Sequence, residues 1–152
     1  MKKYIIGIDP GEKGGIAILD TNGTLVEAVT MPQTPADIYS YLKGHDFGDD
    51  SICYLEDVGR GMPGQSSKAT ATFARHNGHL EMALLACGVP TEKVTPAKWQ
   101  TQFKLGSKKE EPKTSHKNRI KAFAQSRFGN PKITLATADA IVIALYGYEN
   151  EK

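Results

Sequence analysis

An apolar run, Ile5-Ile6-Gly7-Ile8, ends on a carboxylate, Asp9, and turns through Pro10-Gly11-Glu12-Lys13-Gly14-Gly15 into a second apolar run, Ile16-Ala17-Ile18. Short apolar runs bounded by turn residues are buried strands. An unpaired carboxylate is costly to desolvate in such a place. An acid kept there generally faces a cation, and a metal ion is a common choice. The glycines supply positive-φ conformations and let another backbone or a phosphate come close. An isolated Asp-Pro-Gly is also an ordinary hairpin turn. Two further carboxylates in matching settings decide between the two readings.

The rest of the chain supplies those settings. Residues 3–9, about 14–20 and about 24–31 read as three consecutive strands, with Asn22-Gly23 as a hairpin signal. Thr34 and Pro35 open a helix that carries Ile38, Tyr41 and Leu42 on one face. Ser51 to Glu56 is a fourth strand, followed by the glycine-rich stretch 59–66. Ser67 to Cys87 reads as a long helix with Phe73, His76, Leu80, Ala83 and Leu84 on one side. Thr91 to Thr95 is a short fifth strand that stops at Pro96, and Pro96 to Phe103 a short helix bearing Trp99. Leu105 to Ser115 has the composition of a mobile connector. His116 to Phe128 is a basic amphipathic helix with Ile120, Phe123 and Phe128 inward. The last helix, about 135–147, is nearly all apolar and must be buried on most sides, yet Asp139 lies inside it. The order β-β-β-α-β-α-β-α-α-α predicts one α/β domain over residues 1–152. Its sheet has five strands, an antiparallel meander extended by parallel strands, with helices on both faces.

At 152 residues the chain is long enough for a core without staples. No apolar run approaches membrane-spanning length, and Met1-Lys2-Lys3-Tyr4 runs straight into a strand, so neither a membrane partner nor a secretory leader is expected. Cys53 and Cys87 lack metal-ligand spacing and read as buried thiols of a reducing cytoplasm. His45, His76, His79 and His116 form no zinc pattern. His76 and His79 stand three apart without further ligands, so surface or capping roles are expected for them. Residues 92 to 132 hold eleven Lys or Arg against three acids, a local charge of +8 in a chain whose total is +2. A basic arm beside an acidic pocket suits a polyanion held by its phosphates, although a solvated lysine-rich face has the same composition.

Asp9 ends the first strand, Glu56 ends the fourth, and Asp139 sits in the buried last helix. Adjacent placement of those strands brings the first two acids to one sheet edge, and a helix packed there adds the third. Three acids converging in low dielectric repel unless cations neutralise them. Oxygen-only donors favour Mg²⁺ or Mn²⁺. Two such ions about 4 Å apart suit phosphodiester hydrolysis.

Ile6-Gly7-Ile8-Asp9-Pro10-Gly11 with Gly14-Gly15, Tyr54-Leu55-Glu56, and Ala138-Asp139-Ala140-Ile141-Val142-Ile143-Ala144, in this spacing, resemble the RuvC-like Holliday-junction resolvases of the RNase H-like superfamily. The resemblance spans nearly the whole chain. It implies an RNase H-like fold and Mg²⁺-dependent cleavage of branched DNA by a homodimer in a bacterial or phage-infected cell. Paired symmetric nicks would leave 5′-phosphate and 3′-hydroxyl ends. It also implies that Asp9, Glu56 and Asp139 hold the metal, with two ions per site and Mn²⁺ able to substitute. The family usually places a fourth ligand, an acid or histidine, one helical turn before the last Asp; here that position is Ala136, flanked by Leu135 and Thr137. Asp57 does not replace it, because adjacent strand residues point to opposite faces. Lys117 is the positional match for the family's phosphate-contacting lysine and joins the catalytic set. Lys108, Lys109, Lys113, Arg119 and Lys121 belong to the same basic arm, and Arg60, Gln65 and Lys68 follow Glu56 where the family approaches the junction centre. There Met62-Pro63 offers an apolar wedge between bases, or a merely packed loop tip. Trp99 and Phe103 read as core.

Three rival functions remain. A nuclease of the same fold could take flaps, forks or RNA–DNA hybrids. A junction-binding protein with a degenerate site is prompted by Ala136. Actin-like kinases and ATPases also open on a strand-Asp-x-Gly turn, but they need two such domains, for which this chain is too short.

Overall fold

The computed structural model describes residues 2–59, 64–106 and 111–152. Strands β1 (Tyr4–Asp9), β2 (Gly15–Asp20) and β3 (Leu25–Thr30) form the antiparallel meander, with Asp9 paired to Gly15 and Tyr4 to Asp20. Gly11 makes the first reversal at φ 114°, a conformation that a side chain strongly disfavours. In the second turn the Asp20 carboxylate accepts the amides of Asn22 and Thr24, both at 2.9 Å.

Helix α1 (Pro35–Gly44) starts where expected, with the Thr34 hydroxyl accepting the Asp37 amide at 3.1 Å. It carries the chain to β4 (Ile52–Glu56), which pairs parallel with β1. Helix α2 (Ser67–Ala86) leads to β5 (Thr91–Val94), parallel to β4. The sheet order is β3-β2-β1-β4-β5: hairpins give the antiparallel half, helical crossovers the parallel half. Helices α3 (Pro96–Gln102), α4 (Lys113–Phe128) and α5 (Leu135–Glu151) complete the chain. Among the described residues no helix is long and apolar enough to cross a membrane.

Two helices differ from their sequence-based limits. Helix α4 begins at Lys113 rather than His116, directly after Pro112, so Lys113 belongs to a helix and not to the connector. Its first turn is mostly exposed, which leaves no apolar periodicity to read. Helix α5 runs four residues past the expected end, and its last turn is tied to the sheet by the Tyr54 hydroxyl, which donates to Glu151 at 2.7 Å.

Strand alternation divides the core in two. Ile6, Ile8, Cys53 and Leu55 face α1 and α2 and pack with Ile38, Leu42, Leu80 and Leu84. Ile5, Ile52 and Tyr54 face the opposite side, where Trp99, Ile120, Ile141 and Leu145 lie. Helix α5 crosses this second face with Ala138, Ala140 and Ala144 all buried, and it sits unusually close to β1. A Cβ added at Gly7 would overlap the Ala140 carbonyl and the Ala144 amide. Glycine is therefore a packing requirement at position 7, where no side-chain shift can make room.

Gly7→Ala is expected to destabilise the protein by about 3 kcal/mol or more, the upper end for overpacking against backbone. Gly78→Ala, on α2 with nothing within 4 Å of the new methyl, is expected to stabilise it by about 0.5–1 kcal/mol through helix propensity. Urea denaturation of both variants checks the pair. Equal effects would mean that the β1–α5 contact is not tight.

Candidate active site

The ladder between β1 and β4 sets Ile8 beside Leu55, so the next residues, Asp9 and Glu56, emerge together at one sheet edge. Their parity follows Ile5-Gly7-Asp9 and Ile52-Tyr54-Glu56, which points both acids to the α5 side. Asp57 has the opposite parity; it is exposed and its carboxylate accepts the Gly59 amide at 3.0 Å. Helix α5, drawn against Gly7, brings Asp139 to the same edge. Asp9, Glu56 and Asp139 line one cavity of about 260 Å³ together with Lys113 and Lys117 of α4.

The electrostatics are those of crowded acids. Burial raises the Asp9 carboxyl well above its ordinary range, and the charges of Glu56 and Asp139 raise it further. A hydrogen bond to Glu56 acts in the same direction, and the Lys117 ammonium opposes all three. Glu56 is buried, at 7% exposure, and one of its oxygens accepts the indole N–H of Trp99 at 2.7 Å. Among the described residues, no three acid, histidine or cysteine side chains close around a single point as a ready metal cage. The donor set nevertheless fits a hard cation that keeps much of its water. Magnesium is commonly held by one or two carboxylates with substrate phosphate completing its shell. Asp9 and Glu56, with Asp139 nearby, are the residues that would hold it, and their mutual repulsion is what a cation would relieve.

The other expected site residues distribute as follows. Gln65 lines the acid cavity and also a neighbouring groove of about 1100 Å³, in which Lys68 lies. Arg119 and Lys121 line neither. Arg119 is turned away, paired with Glu111 and donating to the Leu105 carbonyl at 3.1 Å. Arg60, Lys108, Lys109 and the Met62-Pro63 tip lie outside the described residues. Phe103 is partly buried against Phe123, as a core residue should be.

Three features escaped the sequence reading. Lys13, in the turn after Asp9, lines both cavities; its place between Gly11 and Gly14 is the one signal that could have drawn notice to it. Gln100, a buried polar residue of α3, lines the acid cavity. Trp99 is fully buried as expected of core, but its N–H is committed to a site acid. The histidines also differ in detail. His76 is half-buried with an enclosed Nε2, beside the groove rather than on open surface. His116 is completely buried, one residue before Lys117. His45 bridges α1 and β3, with one ring nitrogen on the Tyr41 carbonyl and the other on Glu27. Cys53 is a buried free thiol pushed up by desolvation, and Cys87 is a half-buried one.

Thermus thermophilus RuvC in complex with a Holliday junction substrate superposes with a TM-score of 0.68 at 18% identity, covering 97% of this chain and 95% of that one. A second Thermus thermophilus RuvC structure gives 0.67 at 17% identity, with the same coverage. No family model matches the chain, and no curated protein matches it by sequence. The fold is therefore that of RuvC, an RNase H-like arrangement with an open five-stranded sheet.

A folded-state carboxyl held above its ordinary value favours the folded protein in acid, and that contribution is lost as pH rises through the folded value. Asp9→Asn removes this penalty and keeps a donor for Glu56. Without divalent ions, the variant is expected to melt a few degrees above the wild type at pH 8, since about 1 kcal/mol is worth ~2–4 °C in a chain of this size. The gap should shrink toward pH 4. Differential scanning calorimetry at both pH values tests it, and a pH-independent gap would exclude the repulsion.

Proposed function

We propose that this chain is a metal-dependent endonuclease that cleaves branched DNA, with four-way junctions as its substrate. The observation that carries the reading is the meeting of Asp9, Glu56 and Asp139 with Lys117 in one cavity, on the fold of a protein solved with a Holliday junction. Mg²⁺, for which Mn²⁺ would substitute, would be held by the three acids as one or two ions. Bound there it would supply Lewis-acid stabilisation for hydrolysis of a phosphodiester, leaving 5′-phosphate and 3′-hydroxyl ends.

The chain's own residues then have separable tasks. Asp9 and Glu56 fix the cation on two neighbouring strands, so their spacing is set by the sheet ladder. Asp139 approaches from the helix, on an independent element. Lys117 and Lys113, on the first turns of α4, meet the phosphate charge at the mouth of the cavity. Lys13, Gln65 and Lys68 continue a polar path into the adjoining groove, suited to the sugar-phosphate backbone on one side of the cut. A homodimer would present two such cavities and so make paired, symmetric nicks.

One observation favours a second reading. The first turn of α5 presents Ala136 where a further acid would sit, so the chain could bind junctions without cutting them.

Incubation of the protein with a synthetic four-way junction and Mg²⁺, beside linear duplex, flap and RNA–DNA hybrid, separates these readings. Paired nicks confined to the junction are expected, and Asp9→Asn should lose them while still binding. Cutting of flaps or hybrids would reassign the substrate, and binding without cutting would favour the second reading. Lys117→Ala should also weaken junction binding and lower the slope of log affinity against log salt by about 1, as for one lost phosphate contact. An unchanged slope would remove Lys117 from the phosphate path.

A further inference from the structure

The chain has a single tryptophan, and its one polar atom is spent on the candidate active site. Trp99 is 0% exposed and lies in the core on the α5 side of the sheet. From there its Nε1–H reaches Glu56 Oε2 at 2.7 Å, a short contact between two buried groups. Helix α3, which carries it, is anchored at its start: Thr95 caps it, Pro96 opens it, and Val94 pairs with Glu56 across the β4–β5 ladder. Pro96 and Gln100 of the same helix line the acid cavity. The indole is thus tied to Glu56 twice, through the ladder and through the hydrogen bond.

Resting on the nuclease reading, we propose that Trp99 is a positioning residue that fixes the rotation of the Glu56 carboxylate for the incoming cation. An indole N–H donates and never accepts, and it does not titrate in the working range. It therefore holds an acceptor oxygen of Glu56 whatever the protonation of Asp9 or the charge of Lys117. A lysine in the same place would compete with the cation for the carboxylate, and a hydroxyl could turn to accept instead. The strand fixes where the Glu56 Cα stands, while the indole fixes how its carboxylate is turned. Partners of this kind, one bond behind the metal, typically carry 10–100-fold in ion affinity.

The same contact makes the protein its own reporter. A cation taken up by Glu56 withdraws charge from the oxygen that the indole touches, so the emission of the sole tryptophan should change as the site fills. The experiment is a titration of the protein with Mg²⁺, followed in parallel by Trp99 emission and by calorimetry, with Trp99→Phe and Glu56→Gln as variants. The wild type is expected to change emission saturably, at the affinity that calorimetry gives, and Glu56→Gln to lose that change. Trp99→Phe is expected to bind Mg²⁺ about 10-fold or more weakly. Its far-UV circular dichroism and cooperative melting transition should be retained, as they would not be if the substitution had damaged the fold. Calorimetric Mg²⁺ binding with unmoved wild-type emission would overturn the proposal, and so would undiminished affinity in Trp99→Phe. Should Trp99→Phe fail to fold, the wild-type emission titration decides alone. No Mg²⁺ binding by the wild type would overturn the nuclease reading itself, and the proposal with it.

Discussion

The backbone of α5 rests on the backbone of β1. At Gly7 there is no side chain between them, and the Ala140 carbonyl and Ala144 amide occupy the space a methyl would need. An approach this close, made by small residues, holds a helix at a fixed height over a sheet with little freedom to slide. Two residues further along β1 is Asp9, and one residue before Ala140 is Asp139. The separation of these two acids is therefore set by a contact that contains neither of them. A looser seam would leave the same acids in the sequence and no site in the fold.

The site is built against its own electrostatics. Asp9 is disfavoured as an anion by burial, by Glu56 and by Asp139, and among the described residues Lys117 argues for its charge. Such a cluster is costly to the folded protein, and a cation held there would lower that cost, so affinity for a cation and instability without one would have the same origin. Burial limits how far the acids can relieve the strain by turning to water. Glu56 is further restrained by Trp99, and Asp57, the neighbouring acid, is kept out by strand parity and engaged by the Gly59 amide. The basic side chains divide along helix α4 in the same economical way. Lys113 and Lys117 stand one turn apart and line the cavity, whereas Arg119 faces elsewhere and serves the link to Glu111.

Much of this was legible in the chain itself. Alternation and turn residues placed the five strands and five helices of the described residues, because apolar periodicity and capping are local and survive without tertiary context. Asp9, Glu56 and Asp139 stood out because each ends or interrupts an apolar segment, which is a costly thing for a sequence to keep. The start of α4 was not legible: Lys113-Thr114-Ser115 is exposed, and an exposed turn carries no apolar signature. Neither was the placement of Arg119, whose residue type matches the cavity-lining lysines of α4 but whose partner, Glu111, lies before that helix.

The sequence by itself determined the order of elements, the parity that turns Asp9 and Glu56 to one side, and the three acids as the residues of interest. Those follow from backbone geometry and from the cost of desolvating charge, both properties of short stretches. Tertiary structure alone decided which side chains serve the acids. Trp99 is an ordinary core residue in every local respect, and Lys13 an ordinary turn lysine. Each becomes part of the site only because β5 sets α3 beside Glu56 and the β1–β2 turn lines the cavity. A hydrogen bond across 43 positions depends on how the chain closes on itself, which no local preference encodes.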